Sequence, residues 1–469
     1  MSRDGASVRH DPRWTLVMSV AASSLSFIDG SILNVALPAI RASTGAAAAE
    51  VQWVVNAYTL PLAALILLGG ALGDHHGRRL WLMIGTALFG IASLICALSG
   101  SLDMLLVGRV LQGVGAALVL PNSLALLNGV YEGEARGQAI GTWAAAGAIA
   151  AAIAPLIGGW LVENVGWPSI FYINLPLVVA AILVALARVE EVREPEKARL
   201  DGVGAALATL GLAAATYGLT LWSETFSLGL AASIAIVAGT MLLVAYLFWE
   251  RRLGDNAMVP LGLFRHRCFS ALNLMTFLLY GAFGGALLLI PYVLIEAGGY
   301  SPIEAGLSLL PLSILLGALS PLMGRLAVRL GPRIPLTLGP IVVGLGLLLG
   351  TRIAENQGYF THAFPAILTM SIGMTLAVAP LTSTVLSAVD KHQTGMASGF
   401  NSAVARLGGL IVVAMLGSVL ANSGDALLAP FATTLVVMAA VAALGGVAAF
   451  LGLRGNWRRQ PAPIGQRMA

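Results

Sequence analysis

The chain has 469 residues, 58% of them hydrophobic and 10% charged, with a mean hydropathy of +0.87. A soluble domain carries about 25% charged residues, so a cytosolic enzyme, a disordered chain and a secreted disulfide scaffold are excluded. The net charge of +4 would suit a nucleic acid only if the basic residues gathered on one face.

Crossing a bilayer takes about 20 apolar residues. The pattern predicts fourteen spans, at roughly 14–38, 50–72, 80–99, 104–127, 138–162, 168–187, 202–221, 228–249, 269–294, 303–324, 334–351, 362–387, 397–421 and 430–453. Span 1 follows Arg3, Arg9 and Arg13 and lacks a small-residue cleavage site, so it reads as a retained helix. With the N-terminus inside, 22 of the 26 basic residues fall on inner segments, among them Arg78, Arg79, Arg136, Arg188, Arg251, Arg325, Lys391 and Arg454. Arg41 and Arg352 fall on outer loops, and Arg109 and Arg406 within spans. Basic residues concentrate on the cytoplasmic side of membrane proteins, so both termini are expected in the cytoplasm. Charge spread along inner loops excludes nucleic acid as a partner.

The expected organisation is a cytoplasmic tail (1–13), a six-helix bundle (14–187), two inserted helices with flanking loops (188–267), a second six-helix bundle (268–453) and a cytoplasmic tail (454–469). The inserted pair carries no ionisable residue in its interior, and Glu224 falls in the turn between its helices. The flanking sixes look related. Span 2 ends in Gly70-Ala-Leu-Gly73-Asp74-His75-His76-Gly77-Arg78-Arg79, and span 10 in Gly324-Arg325-Leu-Ala-Val328-Arg329-Leu-Gly331-Pro-Arg333, at an offset of 254. Matching motifs in corresponding halves mark repeat-built transporters, which bind substrate between the halves.

Asp29 is the one carboxylate expected inside a span. An ionised Asp at the bilayer centre costs a few kcal/mol, so such residues usually face a cavity and serve function. It reads as a proton carrier, or as a structural Asp capped by Ser26, Ser31 or Asn34. Arg109 and Gln112 in span 4 share a helix face. Asp29 is the expected partner of Arg109, and a structural ion pair is one reading of the two. Arg406 in span 13 stays open between function and structure. Asp74 could pair with Arg136 or face the start of span 13 near Thr394, where a helix N-terminus favours negative charge. A cavity would draw on Phe27, Asn34, Trp53, Asn56, Tyr58, Gln112, Tyr280 and Phe283, since aromatics suit flat lipophilic or cationic molecules; each could equally face lipid or a neighbouring helix. Cys96 and Cys268 are expected to be free thiols. His75 and His76 have no nearby Cys or further His, so no metal site is expected, and no phosphate-binding Gly-Lys-Ser/Thr loop or catalytic constellation occurs.

At Asp29-Gly-Ser-Ile-Leu-Asn-Val-Ala-Leu-Pro38, the loop from Gly70 to Arg79, Arg109-Val-Leu-Gln-Gly113, Pro155-Leu-Ile-Gly-Gly159 and Trp167-Pro-Ser-Ile-Phe-Tyr-Ile-Asn-Leu-Pro176, the chain resembles the fourteen-helix drug:proton antiporters (EmrB/QacA type) of the major facilitator superfamily. The resemblance runs over nearly the whole chain. It implies an all-α polytopic fold of six, two inserted and six helices, proton coupling through Asp29 and Arg109, and a gate built from Gly70, Gly73, Asp74, Gly77, Arg78, Arg79 and Arg136. It also implies an antiporter helix marked by Gly141, Pro155, Gly158 and Gly159, although Ala150 and Ala154 stand where glycines are usual. The expected function is export of hydrophobic or monocationic small molecules by exchange with protons, not enzymatic catalysis. The alternatives are a dedicated exporter of one metabolite and a non-transporting scaffold or sensor. No cofactor is expected beyond the proton gradient. The expected setting is a monomer in the cell (inner) membrane, with a periplasmic adaptor protein left open as a partner.

Overall fold

The computed structural model describes residues 12–192, 201–254, 257, 259, 261–353, 358–389 and 394–453. Most of both expected tails, with Arg3, Arg9, Arg454, Arg458, Arg459 and Arg467, lies outside the described residues, as do Arg193, Lys197, Arg199 and Lys391. The side chains of Arg325, Val328 and Thr394 lie outside them too.

The first group of helices comprises α1 (Pro12–Thr44), α2 (Ala48–His76), α3 (Arg78–Ala97), α4 (Leu102–Val130), α5 (Gly133–Asn164), α6 (Ser169–Tyr172) and α7 (Asn174–Arg188). Then come α8 (Gly202–Thr225) and α9 (Leu230–Leu253). The rest are α10 (Arg267–Glu296), α11 (Pro302–Ser308), α12 (Leu310–Leu330), α13 (Arg333–Gly350), α14 (Ala363–Ser387), α15 (Thr394–Ala414), α16 (Gly417–Leu420) and α17 (Leu428–Gly452). Fourteen segments among the described residues are long and apolar enough to cross a membrane.

Helix packing can be compared between the first and the last group. In the first group α1 lies on α4, α5 and α7, and α4 on α2 and α3; in the last, α10 lies on α15 and α17, and α13 on α14 and α17. The two groups meet through α2 on α15, α5 on α11 and α12, and α1 on α10. The inserted helices pair with each other, and α8 seats the pair on α2 and α15. The repeated loop motif is repeated in the backbone as well. Gly77 has φ +125° and Gly331, 254 residues later, has φ +79°; both conformations are closed to most side chains.

Three expectations need correction. α1 runs on to Thr44, so Arg41 sits in its last turns and not in a loop. Glu224 falls within the last turn of α8. The thirteenth span stops at Ala414 instead of Ala421, with a short turn of helix from Gly417 to Leu420 beyond the break. That interruption frees backbone groups, which cannot be left unpaired in an apolar surrounding. Ser223 Oγ of α8 donates to Ala414 O (2.8 Å) and accepts from Gly417 N (3.1 Å). Gln52 of α2, with its amide oriented to complement them, serves the same two groups.

Candidate functional site

Four helices converge on an ion pair drawn from inside the spans. α1 carries Asp29, and α4 carries Arg109 with Gln112 one turn away. Arg109 Nη1 donates to both carboxylate oxygens of Asp29, at 2.8 and 2.7 Å, and to Gln112 Oε1 at 2.8 Å, while its Nε donates to Val54 O of α2 at 2.9 Å. Gln112 Nε2 donates to Asp29 Oδ1 at 3.3 Å and to Ser93 Oγ of α3 at 2.8 Å. The Tyr58 ring lies 4.5 Å from the guanidinium carbon, within cation–π range. Asp29 and Arg109 are each 1% exposed.

Local sequence explains the assembly. A Cβ at Gly113 would run into the Tyr58 carbonyl and Pro61, so the glycine lets α4 close onto α2 and carries Arg109 to Val54 O. Asp29 takes its hydrogen bonds from α4, not from the hydroxyls of its own helix, and Ser26 Oγ is buried without a partner. The arrangement can hold a carboxylate away from water and let it accept or surrender a proton. Once that carboxylate is protonated, the Gln112 and Val54 carbonyls and the Tyr58 ring still face Arg109.

The expected cavity residues divide. Tyr58 and Gln112 belong to the ion-pair network. Phe27 packs edge-on against Trp143 (5.8 Å), whose Nε1 donates to Ser23 Oγ. Asn34 and Asn56 are buried, and neither amide atom of Asn56 finds a partner. Tyr280 and Phe283 pack with the main core. Trp53 stands apart: it faces Tyr217 of α8 at 6.2 Å and borders a groove of about 290 Å³ with Leu106, Val107 and Val110.

The expected gate residues gather at one end of the bundle. Asp74 accepts from Arg78 Nε (2.8 Å), and Arg78 Nη1 also reaches Ala125 O. Arg136 Nε turns to Tyr131 O at 2.8 Å, so the Asp74–Arg136 pairing gives way to a local pair four residues apart. Glu191 caps α3 by accepting from the amides of Arg79 and Leu80. Gly70 and Gly73 face Pro121 and Asn122 of α4. On α5, Gly158 meets Ile32, and Gly159 meets the Pro302 carbonyl. The Pro155 carbonyl lies against Gly306, while nothing lies within 4 Å of a Cβ built on Gly141. The two groups of helices therefore touch at the end holding Gly159. Arg41 completes that closure, donating to Tyr292 Oη (2.6 Å) and Leu420 O (2.8 Å).

The residues missing from the sequence reading are Ser93, Asn174, whose Nδ2 donates to Ser93 Oγ at 3.3 Å, and Arg41. Asn174 lies inside the quoted Trp167–Pro176 motif. Ser93 and Arg41 carried no signal, because their roles depend on partners 19 and 251 residues away.

The family model of the Major Facilitator Superfamily matches residues 20–264 and 272–468. The chain belongs to that superfamily. It is 34% identical to the multidrug resistance protein Stp of Mycobacterium tuberculosis, over 89% of this chain and 77% of that one. It is 33% identical to the puromycin resistance protein pur8 of Streptomyces alboniger, over 90% and 85%. An auto-inhibited peptide transporter of the POT family superposes with a TM-score of 0.70 over 97% of this chain and 99% of that structure, at 17% identity, a likeness of fold alone. Superfamily membership indicates a transport role.

Proposed function

We propose that the chain is a proton-coupled exporter of hydrophobic or monocationic small molecules, within the fourteen-helix drug:proton antiporter group (EmrB/QacA type). The observation that carries the proposal is the Asp29–Arg109 pair, 1% exposed at both ends and held by α1, α2 and α4 together. A lone structural role would be met as well by apolar residues, since a buried ion pair is often no more stable than its apolar replacement. Relatives named for multidrug and puromycin resistance support the substrate class. Closure by Arg41 and Gly159 at one end supports alternating access. In the cycle, Asp29 takes a proton outside as substrate leaves and gives it up inside as substrate loads. The energy source is the proton gradient, with no bound cofactor. The working unit is a monomer in the cell (inner) membrane with cytoplasmic termini, and an adaptor protein would join it only where a second membrane must be crossed.

The test is dye efflux from cells carrying the wild type or Asp29→Asn. Efflux driven by a pH gradient should be lost in the variant, with the protein still inserted in the membrane. Gradient-driven export by Asp29→Asn at the wild-type rate would sink the proposal. A dedicated exporter of one metabolite is the second reading, favoured by the relative named for a single antibiotic; export of one compound from a varied panel would select it.

A further inference from the structure

Arg406 is the charged residue within the spans that the ion-pair network leaves unused. It lies midway along α15, and its Nε is buried with no hydrogen-bond partner among the described residues. Tyr58 of α2 acts on it electrostatically, while the Tyr58 hydroxyl donates to Ser26 O. The carboxylate inside the spans, Asp29, already shares two oxygens with Arg109. The remaining described acids in the helices lie at their ends, such as Glu50, Asp74, Glu250 and Glu296. The interior thus holds two guanidinium groups and one carboxylate, an excess of one positive charge placed on Arg406.

The faces of α15 show where that charge points. Leu407 and Leu410 pack with Leu60 and Ala64 of α2 and Leu212 of α8. Gly408 lies against Phe277 and Gly281 of α10, and Asn401 donates to Asn273 and Thr276 of the same helix. Ser402, Arg406 and Gly409, at i, i+4 and i+7, occupy what remains. Ser402 is exposed, and a Cβ built on Gly409 meets nothing within 4 Å. α15 is also the helix of the last group that packs on α2 of the first, so this uncovered face borders the seam between the two groups of helices.

We propose that Arg406 is an anion-binding residue in that space, taking the carboxylate or phenolate of an amphipathic substrate as its counter-ion. The proposal rests on the exporter reading and adds a substrate class to it. A guanidinium cannot shed its charge in a protein and offers a planar fork of donors matched to a carboxylate. Burial without a partner is costly, so a bound anion lowers the energy of the occupied state. Ser402 supplies a hydroxyl on the same face.

The experiment measures equilibrium binding of two dyes with the same xanthene rings and opposite charge, fluorescein and rhodamine 6G, to full-length protein in nanodiscs at pH 7.5. Empty nanodiscs provide the baseline. Wild type should bind both. Arg406→Gln should weaken fluorescein about ten- to a hundredfold, the range for a lost hydrogen bond to a charged group, and leave rhodamine 6G within twofold. Arg406→Lys, which keeps the charge and loses the fork, should fall between. Failure of wild type to bind fluorescein overturns the assignment. So does equal fluorescein affinity in Arg406→Gln, or parallel loss of both dyes, which would mark Arg406 as structural. Binding is read with no gradient, so a failure of proton coupling in Asp29→Asn leaves this result standing, and the reverse also holds.

Discussion

The ion pair can be tested as a unit, apart from transport, by replacing Asp29 with Leu, Arg109 with Met, and then both. Asp29→Leu leaves a guanidinium among buried helices, faced by the Val54 and Gln112 carbonyls and the Tyr58 and Phe171 rings. Removing one partner of a buried pair costs about 3–5 kcal/mol, whereas replacing both by apolar residues is about neutral or mildly stabilising. Unfolding entropy is about 2.1 cal/mol/K per residue, so a chain of 469 residues melting as one unit shifts by about 1 °C per kcal/mol. Each single variant should therefore melt about 3–5 °C below wild type in detergent, and the double variant should return to within about 2 °C. Additive losses, with the double variant lower than either single one, would refute the coupling. The folded double variant should also fail to export dye down a pH gradient, since it retains the packing but not the titratable group.

Two further outcomes follow from contacts at the closed end and at the helix break. Arg41→Met removes the donor to Tyr292 Oη and Leu420 O, so the distance between spin labels on Ser43 and Ser423 should broaden towards longer values; an unchanged distribution would show that the glycine contacts close this end alone. Ser223→Ala strips the hydroxyl that serves Ala414 O and Gly417 N. It should lower the melting point by about 1–3 °C, the cost of an unsatisfied buried group being about 1–3 kcal/mol; no shift would mean that Gln52 satisfies both groups unaided.

The spans were legible because their signal is local: about 20 apolar residues bounded by charge or turn formers. Asp29 and Arg109 were legible for a related reason. A charge within hydrocarbon needs a partner, and few were available. What resisted reading depends on direction or on distant groups. The stretch Leu410–Leu416 is apolar throughout, so nothing in it marks the stop at Ala414; the caps come from Gln52 and Ser223, far off in sequence. Trp53 and Tyr58 are five residues apart on one helix, yet one meets α8 and the other Arg109. Residue type says aromatic, and only the angle around α2 separates them. Asp74 had a partner four residues away in Arg78, a pairing that a single turn of the chain supplies without waiting for Arg136.

The two interior arginines show how satisfaction decides between holding a structure and recognising a ligand. Arg109 has its Nε and Nη1 spoken for by a carboxylate, an amide and a main-chain carbonyl. A substrate could displace none of these without exposing a buried charge, so what can change there cheaply is the proton on Asp29. Arg406 is half-buried, with nothing opposite its buried Nε among the described residues and an open helix face beside it. The compensation has to come from outside the fold, by water when the space is empty and by an anion when it is filled. The first arginine is therefore suited to coupling and the second to selection. Tyr58 stands next to both, which gives a substrate bound at Arg406 a physical path to the environment of Asp29.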